Sequence, residues 1–111
     1  MRAAARGLLG LIRNTRALRL EHPERDGPHL RPLPFAGEPD EEWLLAHAPI
    51  GPAEKVAACL RADMAVLRPS HFSLYMGFTG LPAAATERAI ARFGEQVLPG
   101  LRASAAAARA A

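Results

Sequence analysis

The length of 111 residues fits one small domain, and a single cysteine, Cys59, excludes an internal disulfide. Half of the residues are hydrophobic but only 5% are aromatic, and much of the apolar count is alanine, so the available core is thin. A net charge of +3 does not require a nucleic acid or anionic lipid partner. No apolar run approaches the roughly 18 residues of a membrane-spanning helix, so we expect a soluble, cytoplasmic protein.

Residues 1–20 are expected to form a basic amphipathic helix ending near Leu20, because Glu21-His22-Pro23 disfavours continuation. At 100° per residue one face carries Leu8, Leu11, Ile12 and Leu18, and the other carries Arg2, Arg6, Arg13 and Arg16. Such a helix is typical of transit peptides, membrane-surface anchors and ordinary surface helices. We favour the surface helix and do not expect binding to a membrane surface.

Residues 21–50 predict a linker with one short helix. The segment to Asp40 is rich in proline and glycine, which indicates a loop and not a strand. Asp40 is a suitable N-cap for a helix from Glu41. The cluster of possible metal ligands comprises His22, Glu24, Asp26 and His29. It lacks the spacing and rigid frame of a zinc site, so no metal is expected.

Residues 51–102 predict a helix, a strand and a second helix, before an alanine-rich tail at 103–111. The first helix begins near Pro52 and ends before Pro69, with a buried stripe of Val56, Leu60, Met64 and Leu67. Cys59 lies beside this stripe, as expected of an inert buried thiol. The segment 71–76 alternates apolar and polar residues as a half-buried strand does. The second helix covers about residues 83–98, with Ile90, Phe93 and Val97 inward, and is expected to break at Pro99-Gly100.

A lone strand needs a partner for its backbone N–H and C=O groups. The sequence offers no second clear strand, which indicates that the chain is a fragment or depends on a partner.

Several motifs of this region resemble the bacterial luciferase-like family of flavin-dependent oxidoreductases. Gly51-Pro52-Ala53-Glu54-Lys55-Val56 is similar to a helix start late in that family, and residues 71–76 resemble its last barrel strand. Gly80-Leu81-Pro82 and the run 89–99 resemble its closing helix. The resemblance spans residues 51–102.

The resemblance implies an α/β fold, namely the C-terminal fragment of a TIM-type (β/α)8 barrel, mostly helical with one clear strand. A whole barrel needs about 250 residues. Family members are monooxygenases or oxidoreductases that use FMN or F420. Active sites lie at the C-terminal ends of barrel strands, so Met76, Gly77 and Phe78 would line the edge of a flavin pocket. The catalytic residues stay unknown; His71 would lie at the wrong end of the strand, and Tyr75 is the better donor.

Two functional hypotheses follow. The first is a C-terminal portion of a luciferase-like enzyme, inactive and without tight flavin binding by itself, whose partner would be the complementary part of the barrel. The second is a small helical interaction module that buries its apolar faces in a homo-oligomer or another partner. Nucleic acid is not expected, because no phosphate-binding glycine motif is present and no aromatic residues interleave the N-terminal arginines.

Overall fold

The computed structural model describes residues 1–19 and 23–111, and shows a mostly helical chain with a two-stranded antiparallel sheet. In chain order the elements are α1 (Arg2–Leu18), β1 (Pro23–Asp26), β2 (His29–Pro32), α2 (Glu41–His47), α3 (Ala53–Leu67), α4 (Ala83–Arg92), a π-helical turn (Phe93–Val97) and α5 (Leu98–Ala110).

Helix α1 confirms a helix in the N-terminal segment, although its predicted end near Leu20 lies outside the described residues, as do Glu21 and His22. Its buried residues are small: Ala5, Gly7 and Ala17. Leu11 and Leu18, on the predicted apolar face, are exposed. The helix packs against the hairpin and α2, and its buried residues are small enough for neighbouring backbones to approach it closely.

The N-terminal part of the predicted linker contains a β-hairpin, so the prediction of a loop without strands was wrong there. β1 and β2 pair antiparallel, with Glu24 opposite Arg31, and Gly27 takes a φ of +58° in the turn between them. Pro23 and Pro32 pair at the outer end of the ladder, where a missing N–H interrupts no interior bond. Arg31 adds ion pairs across the strands to Glu24 at 3.6 Å and to Asp26 at 3.9 Å.

The segment 71–76 forms no strand, and the prediction of a barrel fragment with one clear strand was wrong. A strand exists only when its backbone finds a partner edge. Among residues 1–19 and 23–111 the strands β1 and β2 pair with each other, and residues 71–76 pair with neither of them. The fold is therefore helices plus one hairpin, and the parallel sheet that defines a barrel is absent from the part of the chain that the structure describes.

Helix α4, the π turn and α5 follow one another without interruption, so the expected break at Pro99-Gly100 was wrong. A proline inside an α-helix cannot donate to the carbonyl four residues earlier, and its ring clashes with that carbonyl. Here that carbonyl belongs to Glu95, inside the π turn. The wider turn changes the bonding pattern just ahead of Pro99, so the helix continues to Ala110.

The hydrophobic core lies where α3 packs against the π turn and α5. Its buried residues are Ala57, Leu60, Val97 and Leu101, with Val56, Met64 and Phe93 partly buried beside them. The two buried stripes predicted for the helices of residues 51–102 are only partly confirmed, because Leu67 and Ile90 are exposed. Cys59 is half-buried.

Gly7 of α1 connects the N-terminal elements to the segment that precedes α4. A Cβ added at Gly7 would collide with the Phe78 side chain, whose Cγ would lie 3.0 Å from it. A Cβ added at Gly10, in the same helix, would meet nothing within 4 Å. The contact between α1 and Phe78 therefore requires glycine at position 7 and not at position 10.

We expect Gly7→Ala to lower the free energy of unfolding and Gly10→Ala to raise it. Gly7→Ala forces α1 away from Phe78, and this overpacking costs about 1–3 kcal/mol, which opposes a gain of about 1 kcal/mol from the higher helix propensity of alanine. Gly10→Ala has only the gain in helix propensity. Urea unfolding followed by circular dichroism measures both. Equal stabilisation by the two substitutions would contradict the close contact.

Candidate interaction site

A half-open apolar groove lies between the start of α1, the turn after α2, the segment before α4, and the α4–π helix. Its volume is about 260 Å³. Apolar side chains dominate its walls, among them Met1, Ile50, Val56, Met76, Phe78 and Phe93. Its lining residues come from four stretches of the chain that are far apart in sequence.

Lys55 fixes one wall of the groove. Its ammonium group donates to the carbonyl of Ile50 at 2.9 Å and also to the carbonyl of Leu45, near the end of α2. A cation at the C-terminal end of a helix satisfies carbonyls that have no partner within the helix. The side chain therefore ties the turn that carries Ile50 to the first turn of α3.

The lining gives the groove little capacity for chemistry. Among the described residues of its walls, which include the N-terminal Met1, Arg92 has the one charged side chain, and no carboxylate, histidine or cysteine is present. The volume lies below the roughly 300–1,000 Å³ of typical small-molecule pockets. Such a groove can accommodate apolar side chains, and Arg92 adds one cationic group at its wall.

Two of the three residues predicted to contact flavin line this groove: Met76 and Phe78. Gly77 does not line it; a Cβ added there would lie 3.9 Å from Thr86 Cγ2. Tyr75 lines the groove and packs edge-on against Phe78, with ring centroids 5.5 Å apart. His71 lies outside it, with its Nδ1 3.1 Å from Ser70 Oγ. Flavin binding stays a prediction.

The metal prediction concerns a different region. Within residues 1–19 and 23–111 no group of three or more histidine, cysteine, aspartate or glutamate residues could hold a metal ion. His22 lies outside the described residues, so the complete predicted set is not described.

The arginine face of α1 binds the acidic segment that leads into α2. Arg13 Nε donates to Glu38 Oε2 at 2.9 Å, and its Nη2 donates to Oε1, which makes a two-pronged ion pair. Arg6 Nε donates to Glu41 Oε1 at 2.7 Å. Arg16 stacks its guanidinium over Phe35, 3.9 Å from the ring centroid. These arginines therefore hold residues 35–41 against the helix.

The sequence analysis did not predict this contact, although it had a signal. Glu38, Asp40, Glu41 and Glu42 form a run of acidic residues of the right sign to meet the arginine face. The predicted cap of α2 is confirmed, because Asp40 accepts from the Trp43 backbone N–H at 2.7 Å. Trp43 in turn stacks on His47, with ring centroids 4.3 Å apart.

Comparisons with known proteins show no relative: no protein-family model, no curated protein and no solved structure matches this chain. No helix among residues 1–19 and 23–111 is long and apolar enough to cross a membrane. The groove and the ion pairs therefore have to be interpreted from their own chemistry.

The hydrogen bonds from Arg13 lower the pKa of Glu38, whose side chain is only 16% exposed. A lowered pKa in the folded state means that this carboxylate stabilises the fold at neutral pH. That contribution is lost as the pH falls below the ordinary glutamate value of about 4.3 and through the lowered pKa.

We therefore expect Glu38→Gln to destabilise the contact between α1 and residues 35–41 at neutral pH, and the difference from the unmodified chain to shrink near pH 3. The fluorescence of Trp43, the single tryptophan, reports on the adjoining segment during urea unfolding. Glu42→Gln is the matched control, because exposed Glu42 forms no ion pair among the described residues. If Glu38→Gln lowered the free energy of unfolding equally at neutral pH and near pH 3, the result would contradict a stabilising ion pair.

Proposed function

We propose that this chain is a small helical interaction module that completes its apolar core against another polypeptide, in an oligomer or with a different partner. The observation that carries the proposal is an accessible surface of 8034 Å². A compact monomer of this mass is expected to expose about 5,900 Å². The radius of gyration is 16.6 Å, against about 13 Å expected for a compact domain of this length.

The small size of the hydrophobic core also supports the proposal of a partner. Seven hydrophobic residues are buried among those described, and three of them are alanines: Ala5, Ala17 and Ala57. In the part of the chain that the structure describes, no large side chain is fully buried. Because hydrophobic stabilisation scales with the apolar area removed from water, this core contributes little by itself.

The apolar area missing from the core is on the surface. The exposed large hydrophobic residues include Leu18, Trp43, Val66, Leu67, Phe72 and Tyr75. A stable protein–protein interface buries about 800 Å² on each partner, and the excess surface of this chain is roughly 2,100 Å². The chain therefore has enough surplus surface for a stable interface.

We favour an interaction role over a catalytic one, because the described walls of the groove are mostly apolar and, beside the Arg92 guanidinium and the Tyr75 hydroxyl, contain no carboxylate, histidine or cysteine. A cytoplasmic location forms part of the proposal, and the free thiol of Cys59 is compatible with it because thiols stay reduced there.

We expect the purified chain to associate, and its thermal unfolding midpoint to rise with protein concentration, because association stabilises the folded state by mass action. Sedimentation velocity and circular dichroism melts over a wide concentration range measure these two quantities. A monomer with broad, non-cooperative unfolding would place the partner in a different polypeptide. A monomer that unfolds cooperatively, at a midpoint independent of concentration, would refute the proposal.

A further inference from the structure

The segment from His71 to Met76 has the sequence of a strand but none of its hydrogen bonds. From His71 to Phe78 the chain makes no helix, strand, turn or bend. Among the described residues, none from Pro69 to Gly77 takes part in a backbone–backbone hydrogen bond. Strand-forming residues with unpaired backbone groups present a ready edge for another strand.

The apolar residues at alternate positions of this segment are its less exposed ones. Phe72, Leu74 and Met76 are less exposed than Tyr75, which is 66% exposed, against 38% for Leu74. Successive side chains of an extended strand point to opposite faces, so pairing as a strand would place these three residues on one apolar face.

We propose that residues 71–76 pair antiparallel with the same residues of a second copy of this chain, about a two-fold axis at Leu74. The inference rests on the proposed interaction function and names its partner. Leu74 then lies opposite its own copy, and Phe72 lies opposite Met76 of the second copy. Opposite residues of antiparallel strands point to the same side, so this register joins the two apolar faces into one.

Three observations favour a second copy over a different protein. No Lys, Arg, Asp or Glu occurs from Pro69 to Gly77, so self-pairing brings no such like charges together. Isologous two-fold pairs are the commonest form of protein association. Met76 also lines the groove, so the register places Phe72 of the second copy beside its edge. One contact then covers the unpaired backbone and part of the apolar walls.

Disulfide trapping tests the register. In a Cys59→Ser background, Leu74→Cys places two thiols opposite each other at the axis, where Cβ atoms are about 4.5–5.5 Å apart, close to the separation found in disulfides. Phe72→Cys places its two copies about four residues apart along the pair, roughly 14 Å, which is too far. The double variant Phe72→Cys with Met76→Cys again places thiols opposite each other.

Val66→Cys is the matched control, because Val66 is 82% exposed and lies outside the segment, whereas Leu74 is only 38% exposed. Under mild oxidation we expect the Leu74→Cys variant to form a covalent dimer at least about tenfold faster than the Val66→Cys variant, because pairing raises the effective thiol concentration. The double variant should cross-link and the Phe72→Cys variant should not. Circular dichroism checks that each variant keeps its helices.

Hydrogen exchange on the unmodified chain gives an independent measurement: amides in residues 71–76 should become protected as the concentration rises. If the cross-linking rates simply increased with side-chain exposure, so that Val66→Cys reacted fastest, the inference would be overturned. The inference would also be overturned if the chain associated but Leu74→Cys formed no cross-link and these amides stayed unprotected. In that case the interaction function would stand, with another surface or a different partner. Open-ended aggregates in place of dimers would also overturn the inference. A cooperatively folding monomer would refute both proposals.

Discussion

Leu60, Val97 and Leu101 meet where α3 packs against the C-terminal helix, and with Ala57 they form the main hydrophobic core of the described chain. Four side chains cannot hold a chain of this length together by apolar contact alone. The N-terminal elements are therefore held by contacts of another kind. Arg13 and Arg6 bind Glu38 and Glu41, and Gly7 lets α1 approach Phe78. The Arg13–Glu38 pair is partly buried, whereas the exposed Arg6–Glu41 pair contributes little, so the close approach of α1 to Phe78 matters as well as charge.

The π turn determines which residues reach this core. In a regular α-helix Ile90, Phe93 and Val97 would share a face, as the sequence predicts. A π turn has more residues per turn, so it shifts the helical phase by roughly one residue. Val97 and Leu101 then face α3, while Ile90 is turned to solvent. Pro99 accounts for the turn, because it cannot bond to the carbonyl of Glu95.

Local signals in the sequence were sufficient for the helices. Asp40 before Glu41 indicated the start of α2, and Pro52 and Pro69 bounded α3. Features that depend on a partner elsewhere in the chain were missed. The hairpin was hidden because its strands are short, charged and flanked by prolines, and it forms through cross-strand pairs such as Glu24 with Arg31. The groove could not be predicted either, because four separated segments build it.

The failed strand prediction is the most informative of these differences. Alternation predicted a strand at 71–76, but strand formation also needs pairing with a neighbouring edge, and among the described residues this segment makes no such pairing. Natural sequences generally agree with their structures at every level, and disagreements concentrate at functional sites. Here the disagreement coincides with exposed Phe72 and Tyr75 and adjoins the apolar groove. The proposed pairing with a second copy would account both for the local preference of the segment and for the surplus surface of the whole chain.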